Sequence, residues 1–310
     1  MARHESQTTT HIPPEEPQEP QEVKGPSAWQ QFRDGPCLFV ARKMSAWRPI
    51  NPSELPEDSV TVVCISNTYN QRPQIPPGDI LIHAGDMVGG GSSLANFQAS
   101  LDWLKAQPHH IKIVVAGRRD KYLSKTKKGG PHWRNGLRRK ADWGDIIYLE
   151  HEKAVVAAEN GRLLRVFGSP YSPTSIHWTA FEYPRDQNVW KKIPKNLDML
   201  ITHTPPLTHL DSLEGCWHLL HKLWKSPPRL HVFGSVLEHH GTKLLCYDDL
   251  QNAMEQIEVA GGGFVNLLKV VKAFVKSWFR PDRKAKTELV NACIAGGEPD
   301  SHREPITVVI

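Results

Sequence analysis

Short apolar runs rich in β-branched residues recur along the chain and predict buried β-strands. The first run, residues 60–65, lies between Pro56 and Asn67, as expected for a strand bounded by turn residues. The other predicted strands are residues 80–84, 111–116, 146–149, 163–167, 197–202, 230–233, 244–247 and 306–309. Between the second and third strands, apolar residues at 94, 97, 101 and 104 predict a helix. This order indicates an α/β fold with layers around paired sheets.

The N-terminal part of the chain has a different composition. Residues 1–26 are rich in Pro and Glu and carry a net charge of −3, whereas the whole chain carries +5. This stretch lacks apolar surface, so it is predicted to be a disordered tail outside the fold. Residues 27–57, which include Trp29, Phe32 and Trp47, are predicted to form an edge segment that packs on a domain comprising residues 58–310.

A second unusual segment, at about residues 262–280, interrupts the later part of the chain. Apolar residues recur at 264, 267, 268, 271, 274, 275 and 278, while Lys269, Lys272 and Lys276 form another stripe. This spacing predicts a basic amphipathic helix. Such a helix either packs on the domain or makes peripheral contact with an anionic membrane surface. We favour packing, because most amphipathic helices bury their apolar face against their own domain.

Composition adds a prediction about the compartment. The chain has 310 residues, of which 39% are hydrophobic and 23% charged, and this suits an ordinary domain with ample core. Its five cysteines include no CxxC pair, so neither a disulfide framework nor a zinc knuckle is predicted. No secretion signal and no apolar run of spanning length is recognised. These observations predict a cytoplasmic protein.

Polar residues follow several of the predicted strands. In open α/β sheets the functional side chains gather at the carboxyl ends of strands, so these residues are the candidates for chemistry. The segments concerned are ISNTY at 65–69, HAGD at 83–86, VAGRRD at 115–120, THTPP at 202–206 with HLD at 209–211, and PRLHVFGSVLE at 228–238.

In this order, the segments resemble the motifs of the calcineurin-like metallophosphoesterases, in particular the metallophosphoesterase-domain-containing subgroup. That subgroup typically reads ISDTH, HAGD, IAGNHD, THGPP followed by HLD, and PRLHVFGHIHE. The resemblance runs from about residue 58 to the end and is interrupted near residues 250–286. It implies a four-layer α/β sandwich, in which two mixed β-sheets are flanked by helices.

The resemblance also implies where two metal ions would lie, and most of those ligand positions are substituted here. Two-metal hydrolysis uses ions roughly 3.5–4 Å apart that activate a water and clamp the phosphoryl oxygens. By position, the bridging aspartate is Asp86 and a retained histidine is His203. The substituted ligand positions are Asn67, Tyr69, Arg118, Ser235 and Leu237, and Arg119 stands at the position of the catalytic histidine.

Two remaining ligands do not make a dinuclear site. Catalytic metal ions generally keep at least three protein ligands, and a leucine supplies no lone pair. Arg118 and Arg119 stay charged and would repel a divalent ion. The predicted protein therefore has no cofactor, or at most one weakly held Mn, Fe or Zn ion at Asp86 and His203. Nearby histidines are interpreted as surface or supporting residues, namely His83, His109, His110, His209, His239 and His240.

The arginines suggest a binding function instead. A guanidinium fork matches phosphate geometry, so Arg118, Arg119, Lys121 and His203 are candidates for binding a phosphate-containing or other anionic ligand. We also expect Asp86 to pair with one of the two arginines. Residues 118–140 carry a net charge of +9 and either rim this pocket or form a solvated loop.

Several alternatives stay open from the sequence alone. A protein partner is compatible with the same residues, whereas nucleic acid is a weaker candidate because no known nucleic-acid module is present. The chain is interpreted as a pseudoenzyme. The alternatives are a hydrolase with a single-metal site and a metal-independent enzyme that uses Asp86, His203 and the arginines for acid/base chemistry.

Overall fold

The computed structural model describes residues 27–48, 55–90, 93–124, 141–174, 179–279, 285–296 and 302–310. The predicted tail, residues 1–26, and most of the basic stretch, residues 125–140, lie outside the described residues.

The first large sheet contains the early strands of the chain. It is built from β1 (Thr61–Ile65), β2 (Ile80–Ala84), β3 (Ile111–Val115), β4 (Ile147–Tyr148) and the last strand, β13 (Ile306–Val309). The order is β13-β1-β2-β3-β4, with β1 to β4 parallel and β13 antiparallel to β1. The carboxyl ends of β1, β2 and β3 therefore meet at one edge.

The second large sheet has six strands and is also mixed. Its strands are β5 (Glu152–Ala157), β6 (Leu163–Ser169), β9 (Met199–Thr202), β10 (Leu230–Phe233), β11 (Gly241–Cys246) and β12 (Lys286–Asn291). The order is β11-β12-β10-β9-β6-β5, in which β12, β10, β9 and β6 are parallel. The short strands β7 (Ser172–Pro173) and β8 (Glu182–Tyr183) pair separately.

The two sheets pack face to face around the main core. Their facing side chains form one buried cluster to which the first sheet contributes Val62, Ile82 and Ile113 and the second contributes Val166 and Ile201. These strands are buried on both faces, which explains their nearly continuous apolar sequences.

A helix covers the outer face of each sheet. Helix α3 (Leu94–Lys105) begins with a capping box at Ser93 and buries Phe97, Leu101 and Leu104 against the first sheet. Helix α4 (Trp217–Lys225) buries Leu219 and Leu223 against the second. The result is the predicted four-layer α/β sandwich of two mixed sheets flanked by helices.

A separate helical layer joins the start of the described chain to the later insertion. It contains α1 (Ala28–Asp34), α2 (Pro36–Ala46), α5 (Asp249–Val259) and α6 (Phe264–Phe279). Helices α2, α5 and α6 share an apolar cluster that includes Ala41, Ile257 and Val270. An ion pair between Arg48 and Asp248 links the end of this N-terminal region to the beginning of α5. In the described ranges, no helix is long and apolar enough to cross a bilayer.

Candidate functional site

The polar strand ends of the two sheets converge and bond to one another. Asn67 and Asp86 follow strands of the first sheet, while His203 and Ser235 follow strands of the second. The backbone N–H of Ser235 donates to Asn67 Oδ1 at 3.0 Å, and His203 Nε2 lies 3.5 Å from Asp86 Oδ1. The structure thus brings together the residues that the motifs predicted as one site.

Left-handed backbone conformations form the turns at these strand ends. The φ angles are 52° at Asn67, 47° at Tyr69, 57° at Asp86 and 75° at Ser235. Non-glycine residues rarely adopt this region, and its presence commonly marks functional turns. Asn67 connects these turns, because its side chain bonds those of Tyr69 and Asp86 and the backbone N–H of Ser235.

Asp86 is buried and accepts hydrogen bonds at both carboxylate oxygens. Its Oδ1 accepts from the backbone N–H of Arg119 at 2.8 Å, and its Oδ2 accepts from the side-chain nitrogen of Asn67 at 3.3 Å. The predicted ion pair between Asp86 and an arginine side chain is therefore wrong for the described residues. Arg119 reaches Asp86 through its main chain, because the turn after β3 presents that N–H to the carboxylate.

His203 is fully buried, and its two ring nitrogens have different surroundings. Nδ1 lies 3.0 Å from the carbonyl oxygen of Ala84 and is therefore the nitrogen that donates. Nε2 is buried without a hydrogen-bond partner among the described residues. Burial lowers the pKa of His203 below its ordinary value, while the Asp86 carboxylate acts in the opposite direction. The ring is neutral near pH 7, and its Nε2 lone pair faces Asp86.

Asn67 is a hydrogen-bonding centre rather than a charged ligand. Its side-chain nitrogen donates to Tyr69 Oη at 2.7 Å, and its Oδ1 accepts from Ser66 Oγ at 2.9 Å and Cys293 Sγ at 3.1 Å. Burial raises the pKa of Tyr69, and Asp86 raises it further, so the phenol stays protonated. Cys293 was not predicted as a site residue. Cys293 lies just after the carboxyl end of β12, where functional side chains are expected. It was missed because β12 was not among the predicted strands.

The two arginine side chains take separate positions. Arg118 donates from its guanidinium to Ser235 Oγ at 2.8 Å and so joins the end of β3 to the end of β10. Its Nε is buried and lacks a hydrogen-bond partner within the described ranges. The Arg119 guanidinium lies over the Tyr69 ring, 4.4 Å from the centroid, and this residue is exposed.

Asp120 holds the turns in place instead of facing the centre. Its carboxylate accepts from the backbone N–H groups of Gly117 at 2.7 Å, Asp86 at 2.9 Å and Val88 at 3.2 Å. Burial raises the pKa of Asp120, and the neighbouring Asp86 carboxylate adds to this rise, while the backbone donors oppose it. Asp120 is therefore a structural anchor for the loop that carries both arginines.

Two glycines permit the close approach of these loops. A Cβ at Gly117 would overlap the backbone nitrogen and carboxylate of Asp86, and one at Gly85 would collide with His203. Gly85 also has a φ of 98°, which L side chains rarely adopt. The geometry of the turns thus depends on two glycines that have no side chain to take part in chemistry.

The remaining predicted site residues lie at the rim. Lys121 is exposed in a 3-10 turn, Lys121–Leu123. Leu237 lies in another turn, Leu237–His239, where its carbonyl oxygen accepts from the guanidinium of Arg303. Leu237 therefore contributes a backbone hydrogen-bond acceptor to the site and no metal ligand. Arg303 was not predicted.

The histidines around the site have structural partners. His83 is buried 3.0 Å from Thr68 Oγ1, and burial lowers its pKa to about 3. His209 Nε2 lies 2.9 Å from Glu255 Oε1 on α5. His109 and His240 face backbone carbonyl oxygens, and His110 lies 3.7 Å from Glu159. These contacts fit the interpretation of the histidines as supporting or surface residues.

These side chains do not fit a pair of divalent ions. Asn67 uses its amide for protein hydrogen bonds, Arg118 places a cation beside Ser235, and the carboxylate of Asp120 is engaged by backbone donors. No cluster of three or more His, Cys, Asp or Glu residues placed to hold a metal occurs in the part of the chain that the structure describes. A two-metal centre lacks its ligand set here.

Known proteins resemble this chain over much of its length. A probable rhamnogalacturonate lyase C of Emericella nidulans is 38% identical over 294 residues, which cover 92% of this chain and 28% of that protein. The human metallophosphoesterase domain-containing protein 1 is 34% identical over 209 residues, which cover 58% of this chain and 61% of that protein. This chain therefore spans less than two thirds of either relative.

A smaller relative is matched over most of its length. A UPF0046 protein of Caenorhabditis elegans is 32% identical over 222 residues, which cover 62% of this chain and 75% of that protein. The chain belongs to the calcineurin-like metallophosphoesterase superfamily. No family model matches it. In this chain, the side chains on the strand-end turns form a hydrogen-bonded network.

Proposed function

We propose that this metallophosphoesterase-fold protein binds a phosphate-containing anion at its strand ends and does not perform two-metal hydrolysis. The observation that carries this proposal is the placement of two guanidinium groups at the converging turns. Arg118 is anchored to Ser235, and Arg119 lies on Tyr69. Guanidinium groups stay charged and match the geometry of phosphate oxygens, so they supply positive charge without a metal.

The hydrogen-bonding state of the site supports an acceptor ligand. Arg118 Nε has no acceptor among the described residues although it is buried, and an unsatisfied buried donor is costly. The exposed Arg119 and Lys121 add positive charge on the outer side. Neither guanidinium is used to bond Asp86, because the carboxylate oxygens accept from the backbone N–H of Arg119 and from Asn67.

An acidic segment of a protein partner offers related chemistry and is the alternative occupant. The five free cysteines are compatible with the reducing cytoplasm in which we place the protein. The lyase name of the Emericella protein belongs to a much longer chain, of which this match covers only 28%.

Thermal unfolding of the purified protein with inorganic phosphate, pyrophosphate or ATP tests the anion site. A ligand at 100 times its dissociation constant stabilises the folded state by about 2.7 kcal/mol, so a rise in Tm of several degrees is expected. Arg118→Met should abolish this rise. Arg165→Met is the matched control, because Arg165 is an exposed arginine paired with Asp198 away from the site. Equal stabilisation of both variants by phosphate would contradict the proposal.

A second candidate is a hydrolase with one weakly held ion. It is favoured by His203 Nε2, which is buried without a hydrogen-bond partner near Asp86. Elemental analysis for Mn, Fe and Zn, combined with an assay on a generic phosphodiester, separates the two candidates. We expect no stoichiometric metal and no hydrolysis. One or more equivalents of metal together with hydrolysis that His203→Ala abolishes would establish the hydrolase instead.

A further inference from the structure

Helix α6 presents apolar residues on two faces, and only one of them is covered. Val270 and Ala273 are buried in the cluster shared with α2 and α5, and Phe274 packs against that cluster. On the opposite side, Phe264 is 68% exposed and Trp278 is 73% exposed. The packing that we favoured from sequence thus accounts for only part of the apolar surface of this helix.

The exposed residues form a continuous stripe. Each residue of an α-helix advances by about 100°, so positions 264, 268, 275, 278 and 279 fall within a sector of roughly 100°. All five are exposed large hydrophobic residues: Phe264, Leu268, Val275, Trp278 and Phe279. We call this set the α6 stripe. Contiguous exposed apolar surface of this kind usually marks an interaction site.

Lysines flank one edge of the α6 stripe. Lys272 and Lys276 lie next to it on the helical projection, Lys269 follows, and all three are exposed. Helix α6 contains no acidic residue, and residues 264–286 contain seven basic residues against a single acidic one, Asp282. The charge therefore favours a negatively charged partner.

The composition of this surface distinguishes between kinds of partner. Lysine is depleted from protein–protein interfaces, whereas lysines beside an aromatic, apolar face are typical of helices that lie on anionic lipid. We propose that α6 docks this protein on an anionic membrane surface. The α6 stripe enters the boundary between headgroups and acyl chains, while Lys269 and Lys272 contact lipid phosphates.

Vesicle sedimentation with the full chain tests the apolar part of this proposal. Binding is expected to vesicles of phosphatidylcholine with phosphatidylserine at roughly two to one, and only weakly to phosphatidylcholine alone. The double variant Phe264→Gln/Trp278→Gln should lower partition into the mixed vesicles by about tenfold or more. Trp217→Gln on α4 is the control, because it removes a tryptophan that is 53% exposed elsewhere. All these residues are exposed, and equal Tm values would verify that folding is unchanged.

A charge reversal tests the electrostatic part. Lys272→Glu should reduce binding to the mixed vesicles, whereas Lys153→Glu, the same change on an exposed residue of β5, should leave it unaltered. The proposal is overturned if the wild-type chain binds neither vesicle, or if the double variant binds as well as wild type. It is also overturned if the wild-type chain self-associates without lipid and the double variant is monomeric, since the α6 stripe would then be an interface between copies.

Discussion

At the scale of single residues, the turns of the site approach one another closely at two glycines, Gly85 and Gly117. Gly117 lies directly against Asp86, and Asp120 ties the same turn to the first sheet through backbone donors. The two arginines follow this turn immediately, so their positions depend on it. We therefore expect small changes beneath the arginines to affect folding and, under the proposed function, anion binding as well.

The substitution Gly117→Ala tests this dependence. The added Cβ would overlap the backbone of Asp86, which cannot move without disturbing β2, so stability should fall by about 1–3 kcal/mol or more. Gly90→Ala is the matched control, because a Cβ there meets no atom of the described residues within 4 Å. Urea unfolding of both variants measures the difference. If the two variants are equally stable, the turn at Gly117 has space for a side chain after all.

At the scale of elements, the insertion is joined to the sandwich through a buried polar group. Glu255 of α5 accepts from Trp224 Nε1 at 2.9 Å and from Gln251 Nε2 at 3.2 Å, and it contacts His209 of the HLD segment. Three donors thus converge on one buried carboxylate. This contact places the helical layer against the second sheet.

Replacing Glu255 by alanine should loosen that layer. Removing the shared acceptor leaves its buried donors unpaired, and each unpaired buried donor typically costs about 1–3 kcal/mol. Glu159→Ala serves as the control, since Glu159 forms only an exposed contact with His110. Unfolding free energies and protease cleavage between α5 and α6 are the measurements. Unchanged cleavage of the Glu255 variant would argue against this docking role.

Sequence patterns predicted most of the strongly apolar strands and missed several less apolar elements. The predicted runs 80–84 and 230–233 coincide with β2 and β10, because strands buried on both faces read as continuous apolar runs. The run 306–309 coincides with β13, an apolar edge strand whose side chains are only partly buried. Strand β5 was missed because it is largely exposed, and β12 because it follows a charged stretch. Helices α1, α2, α4 and α5 were not predicted either.

The site was predictable at the level of residues but not of atoms. Ordered motifs identified Asn67, Asp86, Arg118, His203 and Ser235, and the structure brings all five together. The direction of each guanidinium was not predictable, because it depends on long-range partners. The network through Cys293 and Arg303 was also missed for this reason.

At the scale of the whole molecule, buried neutral histidines make stability depend on pH. His83 and His231 are fully enclosed, and burial lowers the pKa of each from 6.5 to about 3. Between these values the unfolded chain binds a proton that the folded chain does not. The stabilising contribution is therefore complete above pH 6.5 and is lost as the pH falls toward 3.

The variant His231→Gln isolates one of these contributions. Between pH 6.5 and 5, one such histidine makes the free energy of unfolding fall by about 1.5 kcal/mol. The free energy of unfolding of the variant should therefore fall by about 1.5 kcal/mol less than that of wild type over the same pH interval. Glutamine does not titrate, and it can still bond Thr202. Chemical denaturation at the two pH values provides the measurement. Parallel losses in wild type and variant would mean that His231 titrates normally.

The left-handed turns at Asn67, Tyr69, Asp86 and Ser235 have a consequence for engineering. Each such residue costs about 1 kcal/mol or more, so the conformations persist only because surrounding contacts enforce them. Any side chain placed at one of these four positions must therefore tolerate a left-handed backbone. Aspartate and asparagine adopt this conformation more readily than other L residues, so they are the first choices for anyone who installs new metal ligands on these turns.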